Sequence, residues 1–272
     1  MDDIAGRTAF ITGGANGIGL GIARAFARAG AKLALADVDA AALAAAKAEL
    51  SEQTDVATFA FDVRDRDAYA RAADETETRL GPVSLLFNNA GIALAIPVDR
   101  MSFEAWDYAL GVNLGGVVNG LQTFLPRMLA RSRELKGGHV VNTSSGAGLA
   151  APGSGFLYHT AKFAVVGLSE SLRSELEAAG IGVSVLCPGP VATKIMHRTA
   201  SLQPDSAPRL DDQTLAAVDS VLGAGETPDA VGEMVLRAVR ENALYVHTDR
   251  IMEPAIQART QALLDALPEK RG

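Results

Sequence analysis

Thr8-Ala9-Phe10-Ile11-Thr12-Gly13-Gly14-Ala15-Asn16-Gly17-Ile18-Gly19 is the stretch on which the fold turns. Thr8 to Ile11 has the length of a buried strand and runs straight into a glycine-rich turn. Helical period follows from about Gly17 to Ala29, and Gly30 stands where a C-terminal cap belongs. Glycines at such a turn let the backbone approach a pyrophosphate, and the helix N-terminus offers N–H donors with a favourable dipole. Gly13, Asn16, Gly17, Ile18 and Gly19 are therefore candidate cofactor contacts. The spacing is TGxxxGxG, so the commoner GxGxxG pattern fits loosely and position in the chain carries the reading.

Outward from this unit, short apolar runs alternate with helical segments. Lys32–Ala36, Val56–Phe61, Ser84–Phe87, Gly138–Thr143, Gly182–Leu186 and Ala243–His247 read as strands. Helices are expected at Ala40–Leu50, Arg66–Leu80, Phe103–Arg133 with a break near Gly111, Tyr158–Ala179 and Pro254–Leu267. Strands alternating with helices predict a doubly wound parallel α/β sheet of about seven strands, covered on both faces. No repeat or linker divides residues 1–272, which read as one domain. Residues 194–227, weakly patterned and containing Pro204, Pro208, Gly223 and Gly225, read as a substrate lid, and residues 253–272 as a helical tail.

Composition removes whole classes. With 48% hydrophobic and 21% charged residues the chain is no disordered polymer. A net charge of −7 argues against nucleic acid and anionic membrane as partners. A lone cysteine, Cys187, forms no internal disulfide, and His139, His197 and His247 share no metal-ligand spacing, so no metal is expected. The acidic start and the lack of a long apolar run predict a soluble, cytoplasmic protein with no signal peptide and no membrane span.

Two more signals carry chemistry. Asp37 closes the second strand twenty positions after Gly17, where a carboxylate accepts hydrogen bonds from adenosine ribose hydroxyls. The same charge repels a 2′-phosphate, and Ala15, Asn16 and Val38 offer nothing to offset it, so NAD is favoured over NADP. In Tyr158-His159-Thr160-Ala161-Lys162, the first and last residues share a helical face. A nearby ammonium is expected to lower the phenol pKa and make Tyr158 a general acid/base.

As a set these motifs resemble the short-chain dehydrogenase/reductase family over roughly Gly6 to Thr193, with its Rossmann-type fold. Asp62-Val63 is similar to the family's adenine-contacting pair, and Asn88-Asn89-Ala90-Gly91 to the motif ending the fourth strand. By that likeness Asn89, Ala90 and Gly91 line the cofactor cleft. Asn113 resembles the helix asparagine that holds a proton-relay water, and Val141 to Ser145 the strand bearing the catalytic serine. The family spacing of thirteen to the tyrosine selects Ser145 over Ser144. Pro188-Gly189-Pro190-Val191-Ala192-Thr193 looks like the segment against the nicotinamide, which adds Pro188, Gly189, Val191 and Thr193 to the cofactor contacts.

The resemblance implies a catalytic tetrad of Asn113, Ser145, Tyr158 and Lys162, the last two also touching cofactor. It implies an NAD-dependent alcohol dehydrogenase or ketoreductase, with Tyr158 as the acid/base. Ile92, Leu94, Ile96, Leu149, Ala151, Phe156, Ile195 and Met196 flank the expected site and point to a small hydrophobic alcohol or ketone substrate. Arg198 and Arg209 leave an anionic substrate open. The ending Asn242 to His247, followed by a helical tail, is more similar to the branch of aryl-ether Cα-dehydrogenases than to members ending in Val-Asp-Gly-Gly. A homodimer or homotetramer is expected. The alternatives are an epimerase or dehydratase, which shares the Tyr–Lys pair, and a non-catalytic dinucleotide-binding protein.

Overall fold

Thr8–Thr12 (β1), Lys32–Asp37 (β2), Val56–Ala60 (β3), Val83–Asn88 (β4), Gly138–Thr143 (β5), Ile181–Cys187 (β6) and Tyr245–His247 (β7) form one parallel sheet. Its order is β3-β2-β1-β4-β5-β6-β7. The computed structural model describes residues 3–153, 155–204 and 207–268. β1, β4 and β5 are buried along their whole length, as strands covered on both faces must be, and they read as apolar runs for that reason. All seven expected strands form, with ends that differ by at most two residues.

The helices are Gly17–Arg28 (α1), Ala40–Leu50 (α2), Arg66–Leu80 (α3), Phe103–Leu110 (α4), Gly116–Ala130 (α5), Phe156–Leu176 (α6), Ile195–Leu202 (α7), Asp212–Gly223 (α8), Pro228–Glu241 (α9) and Glu253–Asp265 (α10). Asp39, Asp65, Ser102, Asp211 and Thr227 each cap a helix by accepting a backbone N–H three residues on. One core layer packs Phe10 against Phe59, Tyr69 and Phe124, with Phe10 and Phe124 centroids 4.5 Å apart. The other face stacks Phe26 edge-on to Phe87 at 4.7 Å.

The expected break near Gly111 is one turn of π-helix, Gly111–Gly115, between α4 and α5. The helix α9 has no counterpart in the expected elements. It lies along α1 so closely that a Cβ on Gly21 would sit 1.9 Å from the Pro228 carbonyl oxygen, and one on Gly232 2.2 Å from that of Gly21. Arg24–Asp229 at 3.0 Å and Arg28–Glu233 at 2.6 Å bridge the same pair. Within the described part of residues 194–227, which leaves out 205–206, the chain forms α7 and α8 and returns to the body where Val191 bridges Glu226. No described helix is long and apolar enough to cross a membrane.

Strand order reverses between β1 and β4, so the loops leaving these two strands diverge and leave a crevice at the sheet's C-terminal edge.

Candidate active site

A cleft of about 750 Å³ fills that crevice, and the turn after β1 floors one end. Gly13 and Gly17 hold φ of +61° and +50°, which favour glycine. A Cβ on Gly19 would lie 2.0 Å from the Gly13 carbonyl oxygen, so only glycine lets the turn lie flat on the helix. The first turn of α1 has no acidic residue and no side-chain cap, which leaves its N–H donors free for an anion. Asn16 Nδ2 is buried without a partner in the same turn. Orphan donors around a glycine cradle fit a dinucleotide pyrophosphate.

At the end of β2 the buried Asp37 carboxylate accepts from Ala15 N at 3.3 Å and Asp39 N at 3.1 Å. Contrary to the expectation that nothing offsets it, Arg198 of α7 donates to Asp37 Oδ1 at 3.3 Å and to Asp39 Oδ2 at 3.2 Å. Arg198 is 161 positions away in the chain, beyond the reach of local spacing. Asp62 and Val63 line the cleft, and the Asp62 carboxylate is gripped by Arg64, Nη2 to Oδ2 at 2.6 Å.

β1 and β4 are tied together at their ends. Thr12 Oγ1 accepts from Asn89 N at 2.9 Å and Ala90 N at 3.1 Å, and Asn89 Nδ2 returns a bond to Thr12 O at 3.1 Å. Asn89 Oδ1 accepts from Thr143 Oγ1 at 3.2 Å, extending the tie to β5. Asn89, Ala90 and Gly91 thereby hold one wall of the cleft, and Pro188, Gly189, Val191 and Thr193 the opposite one. Ile18 also lines it.

The four candidate catalytic residues come from three places, the π turn, the end of β5 and the first turns of α6. Asn113 sits inside the π turn, where the widened helix lets its side chain exchange two bonds with Ile92: Ile92 N to Oδ1 and Nδ2 to Ile92 O, both 3.0 Å. Ser145 follows β5, accepts from Ala147 N at 3.2 Å, and stands close enough to the Tyr158 hydroxyl to favour its ionised form. Ser144 instead donates to Lys162 O at 2.7 Å, a buried structural bond, so the thirteen-residue spacing picks the serine that meets the tyrosine. Lys162 Nζ donates to Thr143 O at 3.0 Å and lies 5.5 Å from the Tyr158 ring centroid.

The expected depression of the Tyr158 pKa is not what this arrangement produces. Burial pushes the phenol above its ordinary value, against the pull of the nearby Ser145 hydroxyl. The ammonium is itself buried and is brought down to about 8, because desolvation disfavours its charge.

The apolar end is built differently from expectation. Ile92, Ile195 and Met196 line the cleft, but Leu94 and Ile96 turn into the core and Leu149 and Phe156 pack against it. Ala151 is exposed at the surface. Their places are taken by Leu202, Val218 and Leu222 from α7 and α8, and by Ile251 and Met252 after β7. Met252 abuts Gly146, where a Cβ would lie 2.5 Å from Met252 Cγ. Gly189 meets the Asp249 carboxylate in the same way and donates to Thr248 Oγ1 at 3.0 Å. The break after the last strand was the available signal for this wall, since a chain leaving a parallel strand emerges at the crevice. Cys187 is buried, and burial pushes its thiol up to about 12, as suits a packing residue.

Known proteins share this sequence pattern and this fold. The profile of the short chain dehydrogenase family matches residues 7–203. A C alpha-dehydrogenase of Sphingobium sp. strain SYK-6 is 37% identical over 278 residues, covering 98% of this chain and 88% of its own. The structure of LigD, apo form, from the same strain superposes with a TM-score of 0.80 at 35% identity, covering 98% of this chain and 100% of that one. A short chain dehydrogenase/reductase of Burkholderia phymatum in complex with NAD superposes with a TM-score of 0.90 at 30% identity, covering 100% and 99%. A serine–tyrosine–lysine cluster facing a glycine cradle across one cleft, on a sheet that whole-length relatives share, places the chain in the short-chain dehydrogenase/reductase family, as a single-domain member.

Proposed function

We propose that the chain is an NAD-dependent oxidoreductase that interconverts a hydrophobic secondary alcohol and its ketone. The observation that carries this reading is the gathering of Ser145, Tyr158 and the buried Lys162 on one wall at the apolar end of the cleft. The nicotinamide, when bound, supplies hydride acceptance and donation.

The chain's own groups supply orientation and proton movement. A substrate oxygen placed between the Ser145 and Tyr158 hydroxyls gives up its proton to the Tyr158 Oη, or receives one from it in reduction. Ser145 Oγ steadies the oxygen as its charge changes. Lys162 stands one helical turn beyond Tyr158, and its positive charge favours the phenolate once the phenol begins to ionise. Asn113, fixed by Ile92, orders the inner end of this group, where a water would connect Lys162 to solvent. The segment 194–227 acts as the lid, since α7 and α8 contribute Leu202, Val218 and Leu222 to the cleft.

Apolar lining from Ile92, Ile195, Met196, Ile251 and Met252 supports a bulky, uncharged substrate. An anionic substrate is less well served: Arg198 is engaged by two carboxylates, and Arg209 donates to Ala200 O. The resemblance of the chain's ending to aryl-ether Cα-dehydrogenases makes aryl alcohols the first class to try. The test is NADH formation across aryl, steroid-like, acyclic and sugar alcohols. Oxidation of aryl or other bulky alcohols is expected. Turnover of sugar alcohols alone would contradict the hydrophobic assignment, and no turnover of any alcohol, or of the matching ketones with NADH, would contradict the enzymatic one.

A further inference from the structure

Asp37 lines the cleft at the end proposed for the adenosine ribose, and Asp39, whose N–H donates to Asp37 Oδ1, sets a second carboxylate beside it within reach of Arg198. Arg198 spans both with separate nitrogens, Nη2 to Asp37 and Nη1 to Asp39. The guanidinium is only partly exposed and the Asp37 side chain is 7% exposed, so solvent screens the contact incompletely. Its helix is pinned on the next residue: Ala93 N donates to Thr199 Oγ1 at 2.9 Å, and Thr199 is buried. The lid segment thus carries its cation to the ribose end of the cleft, while its apolar residues face the other end.

We propose that Arg198 is a cofactor-specificity residue borne by the lid: seated on Asp37 and Asp39, it offsets the carboxylates that turn away a 2′-phosphate. The proposal rests on the dinucleotide reading above. A ribose phosphate brings a charge of about −1.5 to −2 at pH 7, and two uncompensated carboxylates repel it. A guanidinium bonded to both cancels part of their charge. Its five donors also leave some free to accept a phosphate oxygen as a partner without releasing the aspartates. An uncharged ribose hydroxyl gains little from either effect. The nucleotide preference is then a property of α7 as well as of β2, and NADP tolerance falls whenever α7 moves off.

The test is calorimetric titration of the wild-type chain, Arg198→Ala and Arg198→Lys with NAD and with NADP, at low and high salt. Arg198→Ala is expected to weaken NADP by about tenfold and NAD by less than about threefold, a coupling of ordinary size between neighbouring sites. Arg198→Lys should recover most of the NADP loss, and high salt should shrink the difference. The same pair of titrations in an Asp37→Ser background keeps NADP affinity measurable, and the same selective loss is expected there through Asp39. Equal losses for both nucleotides would overturn the proposal and leave Arg198 a lid fastener. Tighter NAD binding by Arg198→Ala would also overturn it, by making Arg198 a competitor of the ribose. If the wild-type chain binds neither nucleotide, the dinucleotide reading itself fails, an outcome distinct from either of these.

Discussion

Asn113 and Ile92 hold each other by two reciprocal hydrogen bonds of 3.0 Å, one from each backbone-to-amide direction. The pair ties the π turn between α4 and α5 to the loop leaving β4, and Asn113 is 1% exposed. Asn113→Ala leaves a buried N–H and carbonyl without partners, at a cost of about 2–4 kcal/mol. Denaturant unfolding should show that loss together with a drop in turnover. A variant of wild-type stability would mean that the π turn holds itself.

The buried His139 gives the stability a pH dependence. Its Nε2 lies 2.8 Å from Ser184 Oγ, whose single proton goes to Ala243 O at 2.6 Å, so Nε2 is the donor in this pair. Burial brings its pKa from 6.5 to about 3. Above 6.5 neither state binds the proton and the full stability is present. Between 6.5 and about 3 only the unfolded chain takes it up, and stability falls by about 1.4 kcal/mol per pH unit. Subtracting the pH profile of His139→Leu from that of the wild type should isolate this slope, and identical profiles would contradict it.

Lys162 is held charged at a cost. Its folded value of about 8 lies below the ordinary 10.5, so the penalty is present in full below pH 8 and is relieved as pH rises toward 10.5. Lys162→Met removes the buried charge and also the bond to Thr143 O, for a net gain of about 1–2 kcal/mol at pH 7. Turnover should fall by about 100-fold or more. A destabilised variant would show that the hydrogen bond outweighs the burial of charge.

Gly21 and Gly232 set the spacing of α1 and α9, with backbone where either Cβ would go. Gly21→Ala or Gly232→Ala should cost about 1–3 kcal/mol by forcing the helices apart. Because α1 begins at the glycine cradle, Gly21→Ala should also weaken NAD binding in a calorimetric titration. Wild-type affinity in a destabilised variant would separate the helix contact from the cradle.

Much of this architecture was legible because it rests on local patterns. Buried parallel strands are short apolar runs, and the turn after β1 needs glycines at fixed places, so the sheet and the cradle follow from residues 8–37 and their repetition. Tyr158, Lys162 and Ser145 were legible through spacing. The helix α9 carries its own signals, Thr227-Pro228 at the start and Asn242 in a left-handed cap at the end. Arg198 over Asp37 and Met252 against Gly146 were not legible, since tertiary packing alone joins residues so far apart. The Tyr158 environment departs from its sequence pattern for a related reason: helical spacing shows that Lys162 is near, while burial of both groups decides which way each pKa moves.

The central claim is that Tyr158 moves the proton at a substrate hydroxyl, and Tyr158→Phe tests it most directly. The ring and its packing remain while the hydroxyl beside Ser145 is lost. The account predicts that this variant binds NAD with an affinity within about threefold of wild type and loses alcohol-dependent NADH formation by about 100-fold or more. Near-normal turnover with unchanged NAD affinity would contradict it.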